Sequence, residues 1–184
     1  MSKLRVNRNG VPVPAMAAPR QLQPSGVVRL AYLGGKAHHK GFFWLKEIIK
    51  GLPHKNFHLK IVDIHRKFGS SPFTENEVRG KGTVEFVDPF SPADIETFYA
   101  GVDVLLVPSL CKESFGLAVR EALARNVWVV SSEGGALSEE IVPGVNGDVV
   151  KMGDTGAFQA AISRVLTGET KLERYENPRR QEVR

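Results

Sequence analysis

Residues 102–132 read VDVLLVPSLCKESFGLAVREALARNVWVVSS, and this stretch decides the fold. Its two ends, VDVLLVPS (102–109) and VWVVSS (127–132), are apolar runs typical of strands buried on both faces of a parallel sheet. The segment between them predicts a helix that ends near Asn126. A strand, a helix and a second strand in this order predict a right-handed crossover between parallel strands.

The same alternation continues on both sides of this stretch and predicts an α/β fold with one parallel sheet. Further strands are predicted at residues 27–34, 57–64, 83–89 and 148–151. Further helices are predicted at residues 41–51, 91–100 and 155–166, with a short helix after Gly135. In the helix at 91–100, Ser91 is the expected N-cap, with Pro92 first and Asp94 third. We expect the following residues to lie buried in the sheet: Val27, Leu30, Ile61, Val62, Val104, Leu106, Val129 and Val130.

The remaining segments carry no sustained apolar periodicity. Residues 1–26 contain Pro, Gly and Ser and are interpreted as a linker or interdomain segment before the body at 27–168. Residues 66–82, rich in Gly, Ser and charge, predict a loop. Residues 169–184 form a charged tail with some helical character.

Composition sets broad limits on the class of protein. The 184 residues are 42% hydrophobic and 24% charged, as in a globular protein, and no run reaches the ~20 apolar residues of a membrane span. The N-terminus lacks the apolar core of a signal peptide, and the single Cys111 cannot form an internal disulfide, so we expect a cytoplasmic protein. A net charge of +5 favours phosphate-bearing partners. The basic residues are scattered and not interleaved with aromatics, so we expect no nucleic acid partner.

Three loops follow predicted strands, at the sheet edge where ligands bind in such folds. In the first, GGKAHHKG (34–41), Gly34 and Gly35 let the backbone approach a ligand, and Lys40 lies where the next helix begins, which suits a phosphate. A tight turn with a solvated lysine explains the pattern equally well. Because His38 and His39 are adjacent, their side chains should point in different directions. We therefore interpret them as polar loop residues and not as metal ligands.

The second loop carries Glu113 and leads into the helix that carries Glu121. Ser114 is the expected cap of that helix, and three backbone amides would then be open to an anion: those of Phe115, Gly116 and Leu117. Glu121 lies on the inner face of the helix and needs a polar partner, such as a ligand diol. Alternatively, Glu113 only favours a helix N-terminus and Glu121 pairs with Arg125 at i+4. Taken alone, these residues favour the alternative.

The third loop, SSEGGALSEEI (131–141), places Gly134 and Gly135 after a buried strand. This shape is open to an anion, although Gly pairs are common in plain turns. Three such loops at one edge of one sheet together favour a ligand site.

Several motifs together resemble the donor-binding half of retaining family-4 glycosyltransferases. They are PSLCKESFGLAV (108–119), REALARNVWVVSSEGG (120–135) and GVNGDVV (144–150). The spacing of Glu113 and Glu121 and the intervening Phe-Gly-Leu match the E-x7-E motif of that family. The resemblance covers residues 9–166 and implies the GT-B architecture, in which two Rossmann-like three-layer domains enclose the active site.

The resemblance also implies roles for individual residues. Glu113 would approach the donor sugar, Glu121 would hold the ribose diol, and Lys40 would neutralise the departing diphosphate. Glu113 and Lys40 are therefore the candidate catalytic residues. The remaining candidate donor-binding residues are Gly34, Gly35, Lys36, Ser114, Phe115, Gly116, Leu117, Gly134 and Gly135.

This sequence departs from the family pattern at two places. Gly35 occupies the position of the family's arginine in the first glycine loop, and Lys36 follows it. In the third loop, Glu139 and Glu140 both qualify for the acidic position. Base recognition is expected around residues 64–68 and Phe90.

For the whole enzyme the resemblance implies a UDP- or GDP-sugar donor, front-face transfer of a hexose-like sugar with retained configuration, and no metal or other cofactor. The resemblance further implies a role in polysaccharide biosynthesis. It also allows the full enzyme to associate peripherally with a membrane. NRNGV (7–11) resembles the segment that connects the acceptor-binding domain of this family to the donor-binding domain. We therefore expect the acceptor-binding domain to be missing from this chain. Without it, the chain should be inactive or weakly active. The alternatives are a GT-B epimerase or phosphorylase, or a non-catalytic nucleotide-binding module.

Overall fold

The structure, a computed structural model, describes residues 10–64 and 80–183. In these residues six strands form one parallel sheet in the order β3-β2-β1-β4-β5-β6. The strands are β1 (Val28–Tyr32), β2 (Phe57–Val62), β3 (Thr83–Val87), β4 (Val104–Val107), β5 (Trp128–Ser132) and β6 (Gly147–Val150). The helices are α1 (Phe42–Gly51), α2 (Ile95–Ala100), α3 (Leu117–Leu123) and α4 (Thr155–Leu166). The predicted α/β fold with a parallel sheet is confirmed.

Helices cover both faces of the sheet, which explains why its central strands are apolar on both sides. Alternate residues of β4 show the division: Leu106 packs in the cluster that contains α1 and α4, whereas Leu105 packs in the cluster that contains Tyr99 of α2 and Val119 of α3. The order in which strands are added to the sheet reverses between β1 and β4, which are parallel and pair Leu30 with Val104. Such a switch point leaves a crevice outside the carboxyl ends of the two strands.

The expected core residues are buried, with one exception. Leu30, Ile61, Val62, Val104, Leu106, Val129 and Val130 are each no more than 6% exposed. Val27 is only half-buried, so that prediction was wrong. The strand register begins one residue later, at the pair Val28 and Phe57.

Local structure differs from the sequence prediction at the start of α2 and after Gly135. A 3-10 turn (Pro92–Asp94) precedes α2, and Ser91 makes no side-chain cap, because its hydroxyl lies 2.6 Å from the Asp94 carboxylate. The short helix predicted after Gly135 is absent, and residues 136–140 form turns instead. Of the loop predicted at 66–82, residues 66–79 lie outside the described part, and 80–82 contain no helix or strand.

The segment at residues 10–26 has no helix or strand but packs against the body. The Arg20 guanidinium is buried and donates to the main-chain oxygens of Tyr99 and Arg125. The side-chain amide of Asn126 donates to two carbonyls of the same segment. At the other end of the chain, Leu172 is buried and residues 180–182 form one 3-10 turn. None of the helices described in residues 10–64 and 80–183 has the length and apolar character needed to cross a membrane.

Candidate functional site

A cavity of about 280 Å³ lies at the switch point, between the carboxyl ends of β1 and β4 and the start of α3. Its polar wall contains three charged side chains, Lys40, Glu113 and Glu121. The rest of the wall is formed by Tyr32, Leu33, Gly34, Leu105, Leu106, Val107, Gly116, Leu117, Ala118, Val119 and Leu137. An apolar pocket with a few convergent polar groups is the usual form of a small-molecule site.

The first two loops meet through an ion pair. Lys40 precedes Gly41, the N-cap of α1, and its Nζ lies 2.9 Å from Oε2 of Glu113 on the loop after β4. The two side chains are 37% and 17% exposed, so both remain reachable from the cavity. Two residues that lie 73 positions apart in the sequence are thus brought together as the loop arrangement predicts.

Tyr32, at the end of β1, contacts the backbone of the first loop. The sequence did not indicate this role. Its hydroxyl lies 3.1 Å from the main-chain oxygen of Gly35 and 3.3 Å from that of Lys40. Burial, and to a smaller degree the charge of Glu113, raise the pKa of Tyr32, so it stays a neutral donor. A Cβ on Gly34 would lie 2.1 Å from the Tyr32 hydroxyl, which explains a glycine there. In the sequence Tyr32 is indistinguishable from the other apolar residues of its strand.

The start of α3 differs from the expectation. The helix begins at Leu117, and its N-cap is Gly116 with φ 68°, so Ser114 is not the cap. The left-handed conformation at Gly116 suits glycine and turns the chain into the helix without a side-chain cap. Gly116 and Leu117 line the cavity, whereas Ser114 and Phe115 lie outside its wall.

Glu121 lies one turn into α3 and is held by a residue from the neighbouring helix. The Tyr99 hydroxyl lies 3.2 Å from Oε2 of Glu121. The predicted alternative, a pair between Glu121 and Arg125, was wrong: the Arg125 guanidinium bonds Glu96 at 2.6 Å and reaches only the main-chain oxygen of Glu121. Burial raises the pKa of Glu121, and the Tyr99 hydrogen bond and the Arg125 charge only partly oppose it.

The raised pKa of Glu121 predicts a pH-dependent stability difference for Glu121→Gln. The folded chain binds the Glu121 proton more tightly than the unfolded chain, so ionisation of this group destabilises the fold. The penalty is complete above the folded pKa and vanishes as the pH falls below the unfolded value of 4.5. Glu121→Gln should therefore raise the free energy of unfolding at pH 7, and the gain should shrink towards pH 4. Urea denaturation at both pH values measures this.

The control for this prediction is Glu96→Gln, because Glu96 is an exposed acid on the adjacent helix. It should show no gain at pH 7. A gain for Glu121→Gln that is larger at pH 4 than at pH 7 would contradict the assigned direction of the pKa shift.

The third loop packs against the second and contributes Leu137 to the cavity wall. Glu113 and Gly135 form a parallel bridge, in which the Ala136 amide donates to the Glu113 carbonyl at 2.9 Å. A Cβ on Gly135 would lie 2.4 Å from that carbonyl oxygen. Gly134 and Gly135 therefore permit close approach of two loops, and neither is part of the cavity wall.

The two candidate acids of the third loop are both used within the protein. The Arg120 guanidinium donates to Glu139 at 3.1 Å and to Glu140 at 3.5 Å. The sequence analysis did not identify Arg120. Its signal is a single arginine among the apolar residues of α3, which by itself predicts a solvated side chain.

Other predicted residues lie at the margins of the site. Gly35 and Lys36 are outside the cavity wall. The His38 ring packs against Phe43 at 6.0 Å, and within residues 10–64 and 80–183 no three His, Cys, Asp or Glu side chains are grouped to hold a metal ion. For base recognition, Ile64 is 54% exposed and Phe90 stacks on Phe98 at 4.2 Å, while residues 65–68 lie outside the described part.

Comparison with known proteins identifies one family. The sequence profile of the family described as "Glycosyl transferases group 1" matches residues 19–182. A D-inositol 3-phosphate glycosyltransferase of Mycolicibacterium smegmatis is 37% identical over 86 residues, which are 47% of this chain and 20% of the relative. The matched segment spans about a fifth of the length of the curated relatives.

Solved structures agree on the fold. A glycosyltransferase from Rickettsia africae matches with a TM-score of 0.71 at 20% identity, over 87% of this chain and 43% of that one. Anabaena HepE in complex with UDP-glucose matches with a TM-score of 0.61 at 16% identity, over 89% of this chain and 52% of that one. At these identities the likeness concerns the fold.

Proposed function

The chain belongs to the group 1 family of glycosyl transferases, and from that premise we propose that its cavity binds a nucleoside-diphosphate sugar, the donor of a retaining transfer reaction. The observation that carries the proposal is the convergence of Lys40, Glu113 and Glu121 on one cavity at the switch point of the sheet. A UDP- or GDP-sugar is the proposed donor, and the UDP-glucose complex of the Anabaena structure supports the choice of UDP.

Each charged residue has a role that fits the chemistry of such a donor. Lys40 provides a positive charge in the same cavity wall as Gly116 and Leu117, whose backbone would meet the diphosphate. Glu121 would accept hydrogen bonds from the ribose diol, and its partial burial would strengthen them. Glu113 would face the sugar.

The ion pair between Lys40 and Glu113 would change when the donor binds. The diphosphate carries two or more negative charges and competes with Glu113 for Lys40 at the same place. Release of Lys40 would leave the Glu113 carboxylate free to accept a hydrogen bond from a sugar hydroxyl. Binding therefore exchanges one ion pair for two interactions with the ligand.

In the proposed reaction the acceptor hydroxyl attacks the anomeric carbon on the face that the diphosphate leaves. The bond from the anomeric carbon to the phosphate oxygen breaks, the bond to the acceptor oxygen forms, and the acceptor proton passes to the departing phosphate. Lys40 stabilises the charge that develops on the leaving group. By the family resemblance, the acceptor is held by a second domain, so we propose that this chain alone transfers sugar slowly or not at all.

Calorimetric titration of the chain with UDP, GDP, ADP and their glucose derivatives tests the proposal. One nucleoside diphosphate should bind, and its sugar derivative should bind at least as tightly. Glu113→Gln frees Lys40, so it should bind the free nucleotide at least as well as the parent and the nucleotide sugar less well. If the parent chain binds none of these ligands, the proposal is wrong.

A further inference from the structure

Arg120 lies outside the cavity wall but joins two of the loops that contribute to it, the loop before α3 and the loop after β5. Only 1% of this arginine is exposed, although it carries a full charge. A buried charge is tolerated only when its hydrogen-bonding groups are paired. The partners of Arg120 come from both loops and are therefore informative about its role.

On the loop before α3, the Arg120 guanidinium donates to the Phe115 carbonyl and lies 4.4 Å from the centre of the Phe115 ring. On the loop after β5, it donates to the Ala136 carbonyl at 3.3 Å and to the carboxylates of Glu139 and Glu140. One planar cation thus holds the backbone of two loops and both acids of the second loop.

The residues that follow these two carbonyls belong to the cavity wall. Gly116 follows Phe115, and Leu137 follows Ala136. The loops are also joined directly, because the Ala136 amide donates to the Glu113 carbonyl. A shift of either loop would therefore move Glu113 and Gly116, although Arg120 itself does not reach the cavity.

We propose that Arg120, together with Glu139 and Glu140, is a positioning device: it locks the loop at 113–116 to the loop at 134–140 and so sets the cavity wall for the donor. The inference rests on the proposed function for its ligand, but the locking of the loops is a property of the chain alone. Arg120 acts through Phe115 and Ala136 and is not a catalytic residue.

The test compares Arg120→Lys and the double variant Glu139→Gln/Glu140→Gln with the parent. Lysine keeps the charge but replaces the planar five-donor fork of arginine with three donors on one atom. The double variant keeps the shape of both acids and removes their charge. Calorimetry with UDP, or with GDP if the parent prefers it, measures affinity. Hydrogen–deuterium exchange of the ligand-free chain measures the amides at 113–117 and 134–140. Both sets of variants should bind about tenfold more weakly, the effect of roughly one charge-assisted hydrogen bond.

The exchange measurement separates a local lock from a general loss of stability. Both loop segments should exchange faster in the variants while the central strands keep the parent rate. Asp148→Asn is the matched control, because Asp148 pairs with Arg164 at 2.7 Å and lies outside the cavity wall. It should change neither the affinity nor the exchange of the two loops.

Two outcomes would overturn the proposal: parent-like affinity and exchange in the double variant, or uniformly faster exchange over the whole sheet. If the parent binds no nucleotide, the proposed function fails, and the exchange rates of the two loops still decide whether Arg120 locks them. The two failures are therefore distinguishable.

Discussion

Gly41→Ala is expected to destabilise the chain by roughly 2–6 kcal/mol, the combined scale of a strained backbone and an overpacked contact. Gly41 precedes α1 with φ 82°, and a Cβ there would lie 1.6 Å from the carbonyl oxygen of Pro108. The start of α1 and the end of β4 cannot stay this close with any side chain at Gly41. Chemical denaturation measures the loss.

Gly153→Ala is the matched control because Gly153 has nearly the same φ, 83°, and no atom within 4 Å of its Cβ position. Both variants carry the backbone strain, so the difference between them isolates the contact with Pro108. Equal destabilisation of the two variants would show that the close approach of α1 to β4 is absent. Because Lys40 precedes Gly41, the difference in destabilisation also measures how much the contact between Gly41 and Pro108 stabilises the first loop.

The fold followed from the sequence because it depends on patterns that are local in the chain. Buried strands such as β4 and β5 are continuous apolar runs, and the apolar residues of α1 recur at the spacing of an amphipathic helix. The misplaced boundaries have local causes as well. At Gly116 a left-handed glycine replaced the side-chain cap that Ser114 would provide, and sequence alone does not report φ.

The site was predictable only in part, because its side-chain contacts join residues from different loops and helices. The approach of Lys40 to Glu113 follows from the topology, since both loops leave the same edge of the sheet. The partner of Arg125 was not predictable: i+4 spacing favours Glu121, but Glu96 on a neighbouring helix is closer. Arg120 was missed for the same reason, because its role exists only once the two loops are packed together.

Glu121→Ala is expected to weaken binding of the preferred nucleoside diphosphate by about 1–3 kcal/mol, the scale of hydrogen bonds to a charged group. This corresponds to roughly a 5- to 150-fold increase in the dissociation constant. The structure gives the reason for a loss at the upper part of this range: Glu121 is partly buried, and Tyr99 fixes its carboxylate in the cavity wall. Calorimetric titration of the variant with UDP and GDP measures the change.

Two further variants distinguish the ribose contact from a structural effect. Glu121→Gln keeps one acceptor oxygen, so it should lose less affinity than Glu121→Ala while stabilising the fold at pH 7. Glu96→Gln removes the partner of Arg125 from the neighbouring helix and should leave affinity unchanged, because Glu96 is outside the cavity wall. If Glu121→Ala binds the nucleotide as tightly as the parent, the carboxylate does not hold the ribose. The match to the E-x7-E spacing would then carry no information about the donor.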